Sequence, residues 1–277
     1  MMIDNQSDTR SKRAVLNIIV SLLCQILTLI CGLIVPQLMI GHYGSEAYGA
    51  TASIAQFLAY ISLLEGGIGG VARAALYKPL AKEDIVTISK IVAEIKRFFR
   101  IIAYVFIVYT LILACSFKTI SHIECFDWLS SFLLVIAISI STLAQYFVGI
   151  SYATLIQASQ RTYITDVINI STMILNTILV VFLVNIGSSL IIVKFVSSFV
   201  YVLRPLFMWM YVKKKFALTR FEDDGTNYLT QKWDGLGQHI AYFLFSNTDI
   251  AVLTILANLK TVSVYSVYYM IIVQIDN

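Results

Sequence analysis

Five ionisable side chains, Glu65, Arg73, Lys194, Arg204 and Asp249, stand within or at the ends of long apolar blocks in a chain of 277 residues. A charge at the centre of a hydrocarbon layer costs about 2.5 to 3.5 kcal/mol even on the lenient insertion scale, so such groups face a bundle interior or a watery cavity and take partners there. Three of the five are cations. With Arg73, Lys194 and Arg204 available to a cavity, the balance of sign suits an anion, because guanidinium groups hold phosphate-type oxygens in pairs. A pore for organic cations would want the reverse.

The spacing of these residues says how each is presented. Glu65 and Arg73 are eight positions apart on one apolar block, so on a continuous helix they would lie roughly 80° and 12 Å from one another and would not pair. Between them runs Gly66-Gly67-Ile68-Gly69-Gly70, which thins the helix and lets a neighbour or a head group approach its backbone. The plainer reading of Arg73 is that it snorkels to the cytoplasmic interface. Lys194 and Arg204 are again roughly 80° apart on one helix and about 15 Å along it. Snorkelling to an outer interface accounts for Lys194 as well, and less readily for Arg204. Pro205 follows Arg204 directly and Pro36 lies near the outer end of the first block, and each is expected to kink its helix and act as a hinge. Asp249 closes the polar turn Ser246-Asn247-Thr248-Asp249. It is expected to be a buried acceptor for a basic side chain of another span, or else a proton or sodium coupling site, with Asn247 beside it as a cavity polar group. Taken together, the cations fit an anionic cargo such as a pyrophosphate-linked glycolipid.

The elements that carry these residues follow from composition. The chain is 58% hydrophobic and 13% charged, against roughly 25% charged residues in a soluble domain, and its apolar residues come in blocks of twenty or more. In lipid, that pattern selects an all-α polytopic bundle over a strand barrel. Eight spans are expected, at about 14–40, 48–76, 98–117, 128–157, 164–186, 188–212, 236–257 and 261–275. The fifth and sixth meet in a tight hairpin at Asn185-Ile186-Gly187-Ser188. The last span is short for a bilayer, which suggests a helix ending within the membrane or a fragment of something longer.

Basic residues fall on one side of these spans. The N-terminus carries Arg10, Lys12 and Arg13, the second connection Lys78, Lys82, Lys90, Lys96, Arg97 and Arg100, the fourth Arg161, and the sixth Lys213, Lys214, Lys215, Arg220 and Lys232. The opposite connections hold only Lys118 and Lys260. The N-terminus is therefore expected in the cytoplasm, within a cytoplasmic (inner) cell membrane. The connections at 77–97 and 213–235 are expected to be loops with short surface helices. In the stretch 88–100, Ile91, Val92, Ile95, Phe98 and Phe99 oppose Lys90, Glu94, Lys96 and Arg97, as an interfacial helix or a solvated lead-in to the third span would have it.

Several function classes drop out. The net charge of +4 is spread over loops, with no basic face carrying interleaved aromatics, so no nucleic-acid partner is expected. Cys24, Cys31, Cys115 and Cys125 form no CxxC pair and read as small packing residues, so no metal is expected. The block from Ala14 to Ile40 is too long for a signal peptide and lacks its cleavage site. His42, His122 and His239 are scattered, with no nucleophile elbow or phosphate loop, so no catalytic residue and no cofactor is expected.

Two stretches carry a resemblance. Leu63-Leu64-Glu65-Gly66-Gly67-Ile68-Gly69-Gly70 followed by Arg73-Ala74-Ala75-Leu76-Tyr77-Lys78-Pro79-Leu80 resembles the second span and following loop of bacterial capsular and O-antigen polysaccharide flippases of the Wzx type. So does Gln231-Lys232-Trp233-Asp234-Gly235-Leu236-Gly237-Gln238-His239, running into Asn247-Thr248-Asp249-Ile250 and Val262-Ser263-Val264-Tyr265-Ser266. The similarity extends from about Arg13 to Val273. That family belongs to the multidrug/oligosaccharidyl-lipid/polysaccharide transporter superfamily, whose members have twelve or more spans in two six-helix lobes around a cavity. The resemblance implies a cytoplasmic N-terminus at 1–13, a first lobe at 14–212, an inter-lobe connection at 213–235 and the first two helices of an incomplete second lobe at 236–277. A faint echo between Gly44–Gly49 and Lys260–Tyr265 agrees with that division. The cargo it implies is an undecaprenyl-pyrophosphate-linked oligosaccharide, with Arg73, Lys194 and Arg204 at its head group and Glu65, Asn247 and Asp249 in polar or coupling roles. The partners it implies are membrane lipids and other polysaccharide-assembly proteins. The alternatives are a cation-coupled multidrug exporter of the same superfamily and a truncated, non-transporting fragment.

Overall fold

The computed structural model describes residues 2–121, 126–219, 228–229 and 236–276. His122, Cys125, Arg220, Lys232 and the string 231–235 lie outside the described residues. Among those described, every regular element is helical: α1 (Met2–Tyr43), α2 (Ser45–Ala59), a 3-10 turn (Tyr60–Glu65), α3 (Ile68–Ala81), α4 (Ile85–Ser121), α5 (Trp128–Ala144), a π turn (Gln145–Gly149), α6 (Ile150–Ala158), α7 (Thr162–Asn185), α8 (Leu190–Lys215), α9 (Leu236–Leu256) and α10 (Leu259–Asp276). Among the described residues seven stretches are long and apolar enough to cross a membrane, and Leu259–Val273 is a shorter apolar helix. The chain is a multi-pass membrane protein with an all-α fold. Exposed Ile18, Leu22, Ile26, Ile30, Ile112, Ile178 and Phe199 form the oily exterior such a bundle presents to lipid.

Three expectations about these elements need correction. The second span is not one helix over 48–76, because Gly66 (φ 58°) and Gly67 (φ 78°) are both left-handed and end the ladder after Glu65. Only residues without a Cβ take up that conformation without penalty, and two in succession turn the chain before α3 begins. Glu65 and Arg73 therefore sit on different helices, and the angle expected between them does not apply. The third span is not confined to 98–117, since α4 runs unbroken for 37 residues. Its first turns lead straight into the third span and carry their apolar face inward. Ile88, Ile91, Val92, Ile95 and Phe99 are buried in the bundle core, and the chain beyond α8 packs back against them through the Thr219 amide to Ser89 Oγ (3.3 Å) and the Tyr228 amide to a Glu94 oxygen (2.9 Å). The connection at 77–97 is thus the end of α3 and the start of α4 joined by a tight turn, and not a loop.

Pro36 and Pro205 are buried inside α1 and α8, and both helices continue through them. Interruptions of the helical ladder fall at the glycine pair and at the π turn. The α7–α8 hairpin is as expected: α7 stops at Asn185, Gly187 is left-handed (φ 74°), and the Ser189 hydroxyl accepts from the Ile192 amide. Outside the spans, Asp84 and Asp127 cap α4 and α5. Asp84 accepts from the Thr87 hydroxyl (2.6 Å) and amide (3.0 Å), which hold its carboxylate below the usual range, and the bonds from Ser130 do the same for Asp127.

Two helical hairpins meet at the side of the bundle. α1 turns into α2 at Gly44 (φ 89°), and α9 turns into α10 at Ala257-Asn258. α2 lies along α10, and each also touches the first helix of the other hairpin, so the arrangement has the form of a two-fold exchange. Small side chains permit the closeness. Ala47, Ala50 and Ser53 are buried on α2, the Ser53 and Thr254 hydroxyls are 2.7 Å apart, and Val262 and Ser263 are fully covered on α10. A Cβ on Gly49 would come within 1.9 Å of the Leu259 carbonyl oxygen. We expect Gly49→Ala to cost about 1–3 kcal/mol by overpacking against backbone. Gly41→Ala, which meets nothing within 4 Å, should leave stability unchanged or slightly raised, as read by thermal unfolding in detergent.

Candidate functional site

The two helix interruptions face one another. The π turn inserts one residue into the fourth span and is filled by its own side chain, since a Cβ on Gly149 would collide with Gln145 Oε1 at 2.2 Å. It directs Tyr146 towards the end of the 3-10 turn, where the phenol donates to Glu65 Oε1 at 2.7 Å. The rings of Phe99 and Phe106 on α4 pack against Tyr146 and fix its place. Beside this bond lies a cavity of about 390 Å³, lined by Ala55, Leu58, Ala59, Ile61 and Ser62 from one side and by Ile138, Ser141, Thr142 and Tyr146 from the other.

α9 closes over the same region. His239 Nε2 is 2.9 Å from the Ser62 carbonyl oxygen. A carbonyl only accepts, so that nitrogen carries the proton. Two turns further along, Asn247 receives Gln56 Nε2 on its carbonyl (2.9 Å) and on its Oδ1 (3.1 Å), and the Tyr60 hydroxyl reaches the same carbonyl at 3.4 Å. Asn247 is thus an inter-helix polar contact. Asp249 is not the buried acceptor of a basic side chain that the sequence led us to expect: it is exposed and accepts from the Tyr265 hydroxyl on α10. The physical reason is register, because Ile250 and Ala251 take the covered face of α9 and turn Asp249 away from it.

The three cations are dispersed. Arg73 is half-buried on α3, beyond the glycine break, and donates to Gln157 Oε1 of α6 at 3.2 Å. Next to that pair, on the side where the basic connections gather, is a groove of about 350 Å³ lined by Arg13, Tyr77, Leu80, Ala81, Ala158, Ser159 and Gln160. Asn17 fastens the groove's floor to α1, donating to the Gln160 carbonyl and accepting from the Tyr163 amide. Arg204 lies in a seam between α1, α7 and α8, where its Nε donates to Thr172 Oγ1 at 2.8 Å and its guanidinium stands 4.2 Å over the Tyr201 ring. Lys194 is half-buried one turn into α8 and has no hydrogen-bond partner among the described residues. Arg73 and Arg204 share no partner, and neither cavity is lined by Arg73, Lys194 or Arg204.

Sequence reasoning missed four residues. Tyr146, Gln56 and Gln157 carry no charge and sit in apolar blocks, so a search for ionisable groups passes over them. Polar side chains in a stretch free of charges were the available signal. Asp166, in the second turn of α7, accepts from Ser21 of α1 at 2.5 Å. It stood too close to a predicted span end to attract notice. Among the described residues no group of three or more His, Cys, Asp or Glu converges to hold a metal ion. Comparisons of the chain with protein-family models, with curated proteins and with solved structures return no match.

Arg204 ties α8 to α7 through geometry that an ammonium does not reproduce. Arg204→Lys should lower the unfolding midpoint in detergent, and Arg204→Ala should lower it further. The loss should reach about 1.5–3 kcal/mol, the range for a hydrogen bond to a charged group.

Proposed function

We propose that this chain belongs to a transporter that turns an anionic, lipid-linked oligosaccharide of the undecaprenyl-pyrophosphate kind from the cytoplasmic to the outer leaflet of a cell membrane, for polysaccharide assembly. The observation that carries the reading is the company its cations keep. Arg73 and Arg204 are bonded to Gln157, Thr172 and the Tyr201 ring, and Lys194 has no hydrogen-bond partner among the described residues. Their described hydrogen bonds go to neutral groups, so the positive charge is left for an anion to balance, and a diphosphate does so with oxygens that guanidinium binds in pairs. The groove lined by Arg13, Tyr77 and Gln160 has room and polarity for such a head group where the basic connections gather.

Two further features support the reading. The α1–α2 and α9–α10 hairpins meet in the manner of the first helices of two repeated lobes, as the resemblance to polysaccharide flippases implies. The glycine break in the second span supplies a joint about which a lobe can rock. The sign of the free charge argues against an exporter of organic cations.

The test is flipping of a fluorescent undecaprenyl-pyrophosphate oligosaccharide in proteoliposomes. Arg73→Gln and Arg13→Gln should each slow it by roughly 10- to 100-fold, the equivalent of losing one hydrogen bond to a charged group. Wild-type rates in the Arg73→Gln, Lys194→Gln, Arg204→Gln triple variant would remove the reading. Orientation is checked separately: alkaline phosphatase fused after Lys118 should be active, and the same fusion after Lys82 silent.

A further inference from the structure

Of Glu65, Arg73, Lys194, Arg204 and Asp249, the first four are partly covered by the bundle and Asp249 alone is exposed. It stands seven residues before Leu256, which places it about 10 Å inside the end of α9 and so at hydrocarbon depth. The Tyr265 hydroxyl of α10 donates to its Oδ2, and the Tyr265 ring stacks on that of Tyr269 with centroids 5.7 Å apart. Among the described residues no cation pairs with it. A phenol fills one of about four acceptor positions on a carboxylate and leaves the charge uncancelled.

The surface around Asp249 is regular. Gln238, Tyr242, Phe245, Asp249, Val252 and Leu256 are all exposed, and they recur at alternating intervals of four and three residues along α9. Such a stripe is the seam by which one helix packs along another in a left-handed crossing. Lipid does not suit it, since hydrocarbon has nothing to replace the water around a carboxylate. A watery cavity does not suit it either, because Phe245 (86% exposed) and Leu256 (79% exposed) stand on either side of Asp249 along the same line. α7 shows what lipid asks for: Val167, Ile174, Ile178 and Phe182 are exposed on it, and no charged residue is.

We infer that this face of α9 packs against a transmembrane helix of another polypeptide, one that brings a Lys or Arg to the depth of Asp249. The apolar positions of the stripe supply the packing. The carboxylate, held in place by Tyr265, selects the sign of the partner's charge and fixes the register of the two helices. A second copy of this chain is a poor occupant, because two parallel α9 helices related by a two-fold axis would set Asp249 against Asp249, like charge on like. The contact concerns α9 and its neighbour alone and does not depend on what the chain carries.

The test uses the full chain in liposomes, with the four cysteines replaced by serine and a donor dye on Lys260→Cys, exposed at the start of α10. The probes are three synthetic transmembrane peptides of leucine and alanine. They differ at one position, about seven residues from the acceptor-labelled end to match the depth of Asp249, where they hold lysine, leucine or glutamate. Energy transfer should saturate at about 5- to 30-fold lower peptide density in the membrane for the lysine peptide than for the leucine peptide, the range of a polar contact between helices in lipid. The glutamate peptide should do no better than leucine. In Asp249→Asn, which keeps an acceptor for Tyr265, the lysine peptide should lose its advantage. Phe245→Ala should weaken its binding while leaving the thermal unfolding midpoint in place. Equal binding of the lysine and leucine peptides to the otherwise unaltered chain, a comparison that needs no variant at Asp249, would overturn the contact. So would undiminished lysine-peptide binding to folded Asp249→Asn. Transfer between donor- and acceptor-labelled copies of the chain that is lost in Asp249→Asn would overturn it in favour of a second copy.

Discussion

A helix in hydrocarbon must satisfy its own backbone, and every interruption of its ladder needs a partner from another part of the bundle. Among the described residues of this chain the Gly66–Gly67 turn and the π turn at Gln145–Gly149 breach that ladder, and they are set against each other. Glu65 and Tyr146 close the gap between the two interruptions, while His239 closes it from α9. The position of α9 depends on this arrangement, because a continuous second span would hold the Ser62 carbonyl in its own ladder and leave His239 nothing to hold.

Charge obeys the same constraint. Three carboxylates meet hydroxyls, Asp166 with Ser21, Glu65 with Tyr146 and Asp249 with Tyr265, while Arg73 meets an amide and Arg204 a hydroxyl and a ring face. Neutral partners anchor a side chain without cancelling its charge.

Close backbone packing supplies the remaining order. The Gly49–Leu259 approach draws α2 to α10, and the Ser53–Thr254 bond draws α2 to α9, more tightly than bulky apolar side chains allow. The bulk lies elsewhere, in Phe99, Phe106 and Phe117 along α4, the long helix around which α3, α5 and α6 gather. A firm centre and a close seam between hairpins leave the glycine pair as the place where the backbone turns most readily.

How much of this was legible in the sequence depended on whether the governing physics was local. The all-α membrane class, the position of most spans and the α7–α8 hairpin follow from runs of apolar residues and a single glycine, and needed no neighbour to decide them. The glycine cluster was visible too, but a Gly-Gly pair is compatible with a thinned helix and with a broken one, and the choice rests on what receives the freed carbonyl. That receiver, His239, is 177 positions away from Ser62. Tyr146, Gln157 and Asp166 acquired their roles only by meeting Glu65, Arg73 and Ser21 across the bundle. The sequence determined what each helix is, because apolar periodicity acts within a few turns; the tertiary structure alone decided which polar atoms meet, because in lipid that depends on how the helices are rotated against one another.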